Sequence, residues 1–387
     1  MKIPLVYSLR SLLRRPATAA ATAGGIALVV LTFVGMLALA SGFRAAMIET
    51  GRPGNVTVLR AGSDSEMMSG LTREQAAIVR ALPHLARAAD GRPLLTGDVY
   101  VVATRERTDG SQAHVPVRGV SGEAFQVRDQ VRIVAGRRFQ PGRPEVIVGR
   151  GIAERIQGLG LGETVRFGQQ DFTVVGHFTA RGSAFESEVW GENEQMMAVF
   201  RGPFFQSLTF RLADPAAFDA VKHTLAADPR LGVDVYREAD FFAGQSRLLT
   251  TVLRFLAVFV TSIMAVGAVF GAINTMDALV GYRTREVALL LTLGFRPRSV
   301  LAAFLFEALL LALVGGLAGV LLALPINGIT TSTTNMQSFA EIVFQFRVTP
   351  AIVGTGLLFA ATMGLLGGFL PARRASRQVI AAALRGE

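Results

Sequence analysis

The sequence predicts an α-helical membrane protein with four transmembrane helices (1+3) and an inserted α+β extracytoplasmic domain. Three observations lead there. Four long, nearly uncharged runs interrupt the chain, at 17–43, 248–276, 300–324 and 350–370. Each reaches the roughly 20 apolar residues that cross a hydrocarbon core about 30 Å thick. Residues 44–247, by contrast, have the mixed composition of a water-soluble domain. The third observation is where the basic residues fall. The 387-residue chain carries a net charge of +10, yet Ser41 to Arg247 holds 25 basic and 24 acidic residues, leaving 14 basic against 5 acidic elsewhere. That excess flanks the apolar runs: Lys2, Arg10, Arg14 and Arg15; Arg283, Arg285, Arg296 and Arg298; Arg373, Arg374, Arg377 and Arg385. Basic residues gather on the cytoplasmic side of short membrane loops. Both termini and the 281–300 loop are therefore expected in the cytoplasm, with 44–247 and 325–349 outside. A charge placed this way serves membrane topology, and nucleic-acid binding is not expected.

The elements follow in chain order. "MKIPLVYSLRSLLRRP" sets Leu5, Leu9, Leu12 and Leu13 on one helical face and Arg10 and Arg14 on another, an interfacial helix feeding the first span. "LALASG" at 37–42 resembles a cleavage site, but the apolar run before it exceeds the 7–15 or so residues of a signal peptide. It is expected to stay as a membrane helix. In the inserted domain "NVTVLRAG", "DVYVVAT", "HVPVRGV", "VRIVAG", "EVIVGR", "ETVRFG" and "FTVVGHF" read as strands, β-branched and bounded by turn residues. Helical periodicity appears at 71–83, where Thr72 and Gln75 form a capping pair, and at 214–228. From Arg237 the chain passes from polar to apolar without a Pro or turn cluster, so one helix is expected to begin outside the bilayer and continue into the second span. Three boundaries result: a first segment at 1–45, the inserted domain at 46–247, and a membrane segment at 248–387 with a cytoplasmic helix at 282–296. Within the spans Gly267 and Gly271, Gly315 and Gly319, and Gly364 and Gly368 recur at four-residue spacing, which suits close helix packing in lipid.

Reactive chemistry is scarce. The chain has no cysteine, so neither a disulfide framework nor thiol chemistry is available. Its two lysines, Lys2 and Lys222, do not belong to a G-x-x-x-x-G-K-[ST] phosphate loop. The four histidines lack metal-ligand spacing, and the acidic run "FESEVWGENEQ" at 185–195 reads as a solvated, turn-rich loop rather than a cation site. No metal site, catalytic constellation or nucleophile elbow is expected. Inside the spans the polar candidates are Glu307, near mid-depth in the third, and Asn274, where the second meets the cytoplasm. An intramembrane carboxylate is costly and marks a functional candidate.

The loop "GYRTREVALLLTLGFRPRSV" holds the clearest signal. Val287, Leu290, Leu291 and Gly294 fall at i, i+3, i+4, i+7, a stripe that could enter a partner's groove. Arg283 and Arg285 could pair with acidic groups on that partner, and anionic lipid would also favour them. Together with the third apolar run, the loop resembles the signature region of the MacB/FtsX-type permeases of ABC transporters. The order matches: Arg283-Thr284-Arg285-Glu286, a short apolar helix, Gly294, Arg296 with Arg298, Glu307, then Gly315-Gly316. "PARRASRQVIAAAL" (371–384) is similar to the family's closing motif, with Gln378-Val379 in place of its acidic-Pro step. Residues 136–178 and 207–231 resemble the outer core domain of the MacB branch. The resemblance implies a non-catalytic permease subunit in a bacterial inner membrane, working as a homodimer with a separate cytosolic ATPase that binds ATP and Mg. Arg283, Arg285, Glu286, Val287, Leu290, Leu291 and Gly294 would form the ATPase-coupling helix. A periplasmic adaptor and an outer-membrane exit duct are implied partners in export by mechanotransmission. Lipoprotein release, or regulation of a cell-wall hydrolase without transport, are the alternatives.

Overall fold

The computed structural model describes residues 16–378. The interfacial helix expected before Pro16 and the end of the 371–384 motif lie outside the described residues. Seven longer helices organise the described residues: α1 Pro16–Thr50, α2 Arg73–Arg80, α3 Phe218–Ala227, α4 Glu238–Tyr282, α5 Thr284–Thr292, α6 Pro297–Ala323 and α7 Pro350–Ser376. Two compact units result. One holds residues 42–251 together with 330–345, the other the remaining described residues. The hairpin at 330–345, which the sequence reading left in the membrane segment 248–387, thus groups with the inserted domain. Sequence distance hid the association, because its partners lie far back in the chain.

In the helical unit α1, α4, α6 and α7 are each long and apolar enough to cross a membrane. Proline opens α6 and α7 at the first helical position, where its missing N–H has no partner to lose. The Thr349 hydroxyl caps α7 by accepting from the Ile352 N–H. Small residues set the spacing between helices. A Cβ on Gly315 would lie 2.5 Å from the Ala23 carbonyl oxygen, and one on Gly319 would lie 2.5 Å from that of Ala27. Gly364 and Gly368 press the same way on Ala312 and Ala308. These contacts let α6 pack against α1 and α7 with the backbones nearly touching. Gly267 and Gly271 differ: nothing of this chain lies within 4 Å of a Cβ built on either. Their expected packing is not made within this chain, because they sit on the open face of α4. The helix is unbroken over 45 residues, roughly 68 Å at 1.5 Å per residue.

The inserted domain is built on a mixed ten-stranded sheet. Its strands are β1 Asn55–Arg60, β2 Leu95–Glu106, β3 Gln112–Val120, β4 Arg132–Gly136, β5 Glu145–Gly149, β6 Thr164–Phe167, β7 Gln170–Thr179, β8 Val189–Glu192, β9 Ser207–Arg211 and β10 Val233–Arg237. The order is β10-β1-β9-β2-β3-β8-β5-β7-β4, with β6 also on β7. β3 with β8 and β5 with β7 are parallel, and the other pairs antiparallel. All seven strands read from β-branched alternation are present. Thr72 and Gln75 make the reciprocal capping box at the start of α2. One apolar core runs through the sheet, from Val56 and Val58 through Val117 and Val148 to Phe172. The hairpin β11 Thr330–Thr334 with β12 Glu341–Gln345 docks by several contacts. The Val343 N–H donates to the Ser187 hydroxyl at 2.8 Å, Arg107 pairs with Glu341, and Phe344 meets Phe43 edge-on at 5.5 Å.

Gly319→Ala should destabilise the full chain by about 1–3 kcal/mol, the usual cost of overpacking a close contact. Gly271→Ala, with open space around it, should be neutral or stabilising, because Ala suits a helix interior better by about 0.5–1 kcal/mol. Unfolding of both variants in mixed micelles, followed by helical circular dichroism, checks the contrast.

Candidate coupling helix and a buried charge network

The loop between α4 and α6 folds as α5, and Gly294 ends it. Gly294 has φ +88°, its N–H donates to Leu291 O at 3.1 Å, and the Phe295 N–H reaches back to Leu290 O at 3.1 Å. This pair of bonds closes a helix around a left-handed residue, a conformation glycine adopts without penalty. The role of Gly294 is therefore to stop the helix. The expected docking stripe also turns out differently. Val287 is buried, Leu291 packs beside it, and both join a cluster with Met276, Val280, Val300, Phe304 and Ala375 of α4, α6 and α7. Leu290 is half-buried. The helix needs this apolar face to hold onto its own chain, so the side left exposed carries Leu289, Leu293, Arg285 and Glu286.

Arg283 is likewise turned inward. Its Nη1 lies 3.1 Å from Glu307 Oε2, with the carboxylate only 1% exposed. A buried carboxylate in α6 is thereby held by a guanidinium from the loop, and the pair ties the start of α5 to the span that follows it. Glu307, singled out in the sequence within the third apolar run, is thus paired with a residue of its own chain. Arg374 and Asp277 make a second link between α7 and α4 at 3.0 Å. Asn274 lies exposed on α4, while its neighbour Thr275 bonds Thr22 of α1 at 2.6 Å.

A larger polar site lies inside the sheet of the inserted domain. Arg118, on β3, is fully buried and uses all five of its N–H donors. Nη1 and Nη2 reach Glu66 at 2.7 and 2.9 Å, Nε and Nη2 reach Glu188 at 2.7 and 2.9 Å, and Nη1 also reaches Asp98 at 3.1 Å. Asp98 bridges to Arg128 at 2.6 Å, and Arg128 continues to Glu238 at 3.2 Å. Aromatic faces line the guanidinium groups: Arg118 lies 4.7 Å from the Tyr100 ring, and Arg128 lies 4.9 Å from that of Phe185. Of the remaining donors, Ser207 serves Glu66 and the Trp190 indole serves Glu188, at 2.7 and 2.6 Å. A cavity of about 20 Å³ borders Glu66, Tyr100, Arg118, Glu188 and Gln245. A water needs about 10–15 Å³, so one fits there.

The electrostatics are uneven. Burial pushes Glu66 up, but the charge and hydrogen bonds of Arg118 and the Ser207 hydroxyl outweigh it, leaving this carboxyl below its usual value. For Glu188 burial prevails over Arg118 and the carboxyl stays above its usual value, with the Glu66 charge adding to the rise. Burial alone would lower both arginines. Glu188 and Glu66 instead raise Arg118, and Asp98 and Glu238 raise Arg128. Of the two carboxyls, Glu188 therefore takes a proton more readily than Glu66.

The acidic run 185–195 was expected to be a solvated loop. It is instead a short helical turn, then β8, then a second turn, with Glu188 and Trp190 buried. Glu188 serves Arg118, while Glu186 accepts from the N–H groups of Ala180 and Gly182. The single tryptophan between two carboxylates was the available signal, since such a ring seeks the core. Among the described residues, no group of three or more His, Asp or Glu side chains could hold a metal ion.

Glu66→Gln should cost about 3–5 kcal/mol at neutral pH, the usual penalty for breaking a buried ion pair. The stability owed to Glu66 is present above the unfolded value near 4.5 and disappears as pH falls through its lowered folded value. Glu188, being raised, has the opposite sign: it adds stability as pH falls towards 4.5. Glu188→Gln, which imitates the protonated acid, should therefore cost less than half as much. Trp190 is the only tryptophan and bonds Glu188 directly. Its emission should titrate with a midpoint above 4.5, and Glu188→Gln should abolish that titration.

Two family models match the chain in succession. Residues 19–228 match the model of the MacB-like periplasmic core domain, and 258–380 match the FtsX-like permease C-terminal model. Macrolide export ATP-binding/permease protein MacB 1 of Aeromonas hydrophila is 29% identical over 69% of this chain and 43% of its own length. Pyoverdine export ATP-binding/permease protein PvdT of Pseudomonas entomophila is 29% identical over 61% of this chain and 37% of its own. The chain thus spans about two fifths of the length of these relatives. The periplasmic region of MacB from Actinobacillus actinomycetemcomitans aligns at 12% identity with a TM-score of 0.37, covering 53% of this chain and 94% of that one. With a MacB-like core domain over more than half its length and an FtsX-like region behind it, this multi-pass membrane chain belongs to the MacB/FtsX family of ABC transporter permeases.

Proposed function

We propose that this chain is the membrane subunit of an exporter in which a cytosolic ATPase drives movement of the extracytoplasmic domain. The observation that carries the reading is α5. It is a short helix bolted to the bundle by Val287, by Leu291 and by the Arg283–Glu307 pair, and it leaves Leu289, Leu293 and Arg285 outward. A helix held this firmly on one face can pass on a push received on the other. In this reading ATP and Mg are bound by the ATPase. The arginines beside α5 and α7 favour a cytoplasmic position for this side, with the sheet domain outside the inner membrane.

Within this reading α4 is the transmission element. A helix that runs unbroken from Glu238 to Tyr282 resists bending, so displacement at its cytoplasmic end reaches its outer end. This is mechanotransmission rather than conduction through a pore. Two relatives of equal identity carry different cargo in their names, a macrolide and pyoverdine. Export is therefore the common denominator and the cargo stays open among small molecules, peptides and lipids. Two copies of the chain, a periplasmic adaptor and an outer-membrane duct complete the assembly we envisage.

The test is co-expression with the candidate ATPase. Leu289→Asp with Leu293→Asp changes only exposed positions, so insertion and Trp190 emission should match the wild type. Each leucine buried at an interface contributes about 1.5–3 kcal/mol, so the double variant should lose ATPase binding by at least tenfold in pull-down and hydrolysis assays. Unchanged binding and hydrolysis would reduce α5 to an interfacial anchor and defeat the proposal.

A further inference from the structure

One carboxylate joins the end of α1 to the beginning of α4. Glu238 is the first residue of α4 and is completely buried. An acidic residue in the first turn is ordinarily favoured by the dipole and unpaired N–H groups of its own helix. The hydrogen bonds of Glu238 go elsewhere. Oε2 accepts from the Arg52 backbone N–H at 3.0 Å and from the Asn55 amide at 2.9 Å, while Oε1 accepts from Arg128 Nε at 3.2 Å. Arg52 stands two residues beyond the end of α1, and Asn55 opens β1. The backbones close in as well: a Cβ on Gly51 would lie 2.4 Å from the Ala239 Cα.

The end of α1 is held from other sides too. The Thr50 hydroxyl accepts from the Ala184 N–H at 2.9 Å, and the Thr50 carbonyl accepts from the Gln130 amide at 3.2 Å. Glu238, in turn, is anchored to the middle of the sheet. Arg128 passes from it to Asp98, and Asp98 passes to Arg118, each of them 1% exposed or less.

We propose that Glu238 is a positioning residue, a clasp that fixes α1 and α4 to one another so that they move as a single body. Its value lies in bonding across elements where a capping residue would bond within one. The consequence for transport rests on the proposed lever action of α4, but the clasp itself can be tested without any ATPase. The chain has no cysteine, and Arg44 on α1 and Arg247 on α4 are both exposed. Spin labels on Arg44→Cys and Arg247→Cys, in the full chain in lipid nanodiscs, report their separation by pulsed electron resonance. The wild-type background should give one narrow distance distribution. Glu238→Gln keeps a hydrogen-bond acceptor but discharges the pair with Arg128, and should broaden the distribution at least twofold or add a second component. Glu238→Asp, which keeps the charge on a shorter arm, should restore part of the narrowness. A purely structural role predicts a lower melting temperature with an unchanged distribution in every folded variant, and that result overturns the clasp. Should Glu238→Gln fail to fold, Asn55→Ala removes a single donor to the same carboxylate and is judged by the same two outcomes. Loss of ATPase binding in the α5 variants leaves this measurement untouched, so the two proposals fail independently.

Discussion

Arg118 on β3 and Arg128 in the loop before β4 are two buried cations of the inserted domain, and much of its polar interior is arranged to pair them. A buried charge is tolerable only when its partners are close and complete. Those partners come from parts of the chain far apart in sequence: Glu66 after β1, Asp98 on β2, Glu188 before β8, Glu238 at the head of α4. The sheet order serves this end. β3 and β8 lie side by side in parallel, with Arg118 paired to Trp190 in register, which brings the guanidinium within reach of Glu188. Nonpolar packing of similar volume could stabilise a sheet equally well. What the ionic network adds is a fixed geometry running from the sheet centre to the first residue of α4.

The helical unit solves its own version of the same problem. With no hydrophobic drive between helices in lipid, packing must come from close backbone approach and from internal polar pairs. Gly315 and Gly319 supply the first against α1, and Arg283 with Glu307 supplies the second between α5 and α6. That pair also explains the burial of α5's apolar stripe, since a helix drawn inward at its start sets Val287 among α4, α6 and α7. The outward face is then decided by default, and it is this face that a partner would meet.

Both units place paired charge at the joints between their elements. In the bundle, one ion pair joins a surface helix to a span. In the domain, a chain of ion pairs joins the sheet to the head of α4.

Sequence alone determined the features that depend on local pattern. Four spans follow from apolar length, seven strands from β-branched alternation, and the cap of α2 from Thr72 and Gln75. The unbroken passage of α4 follows from the absence of any breaker. The family resemblance rested on the ordered motif from Arg283 to Gly316. Tertiary structure decided everything that depends on which distant residues meet. Glu188 sits in a run that is acidic and turn-rich on paper, and only Arg118 on a neighbouring strand makes it a core residue. Arg283 points to a partner or to its own bundle depending on Glu307, twenty-four residues away. Gly267 and Gly315 share one spacing, yet only Gly315 has a helix against it. Periodicity tells which face of an element is apolar or charged; what covers that face is set by long-range contacts, which carry no local signature.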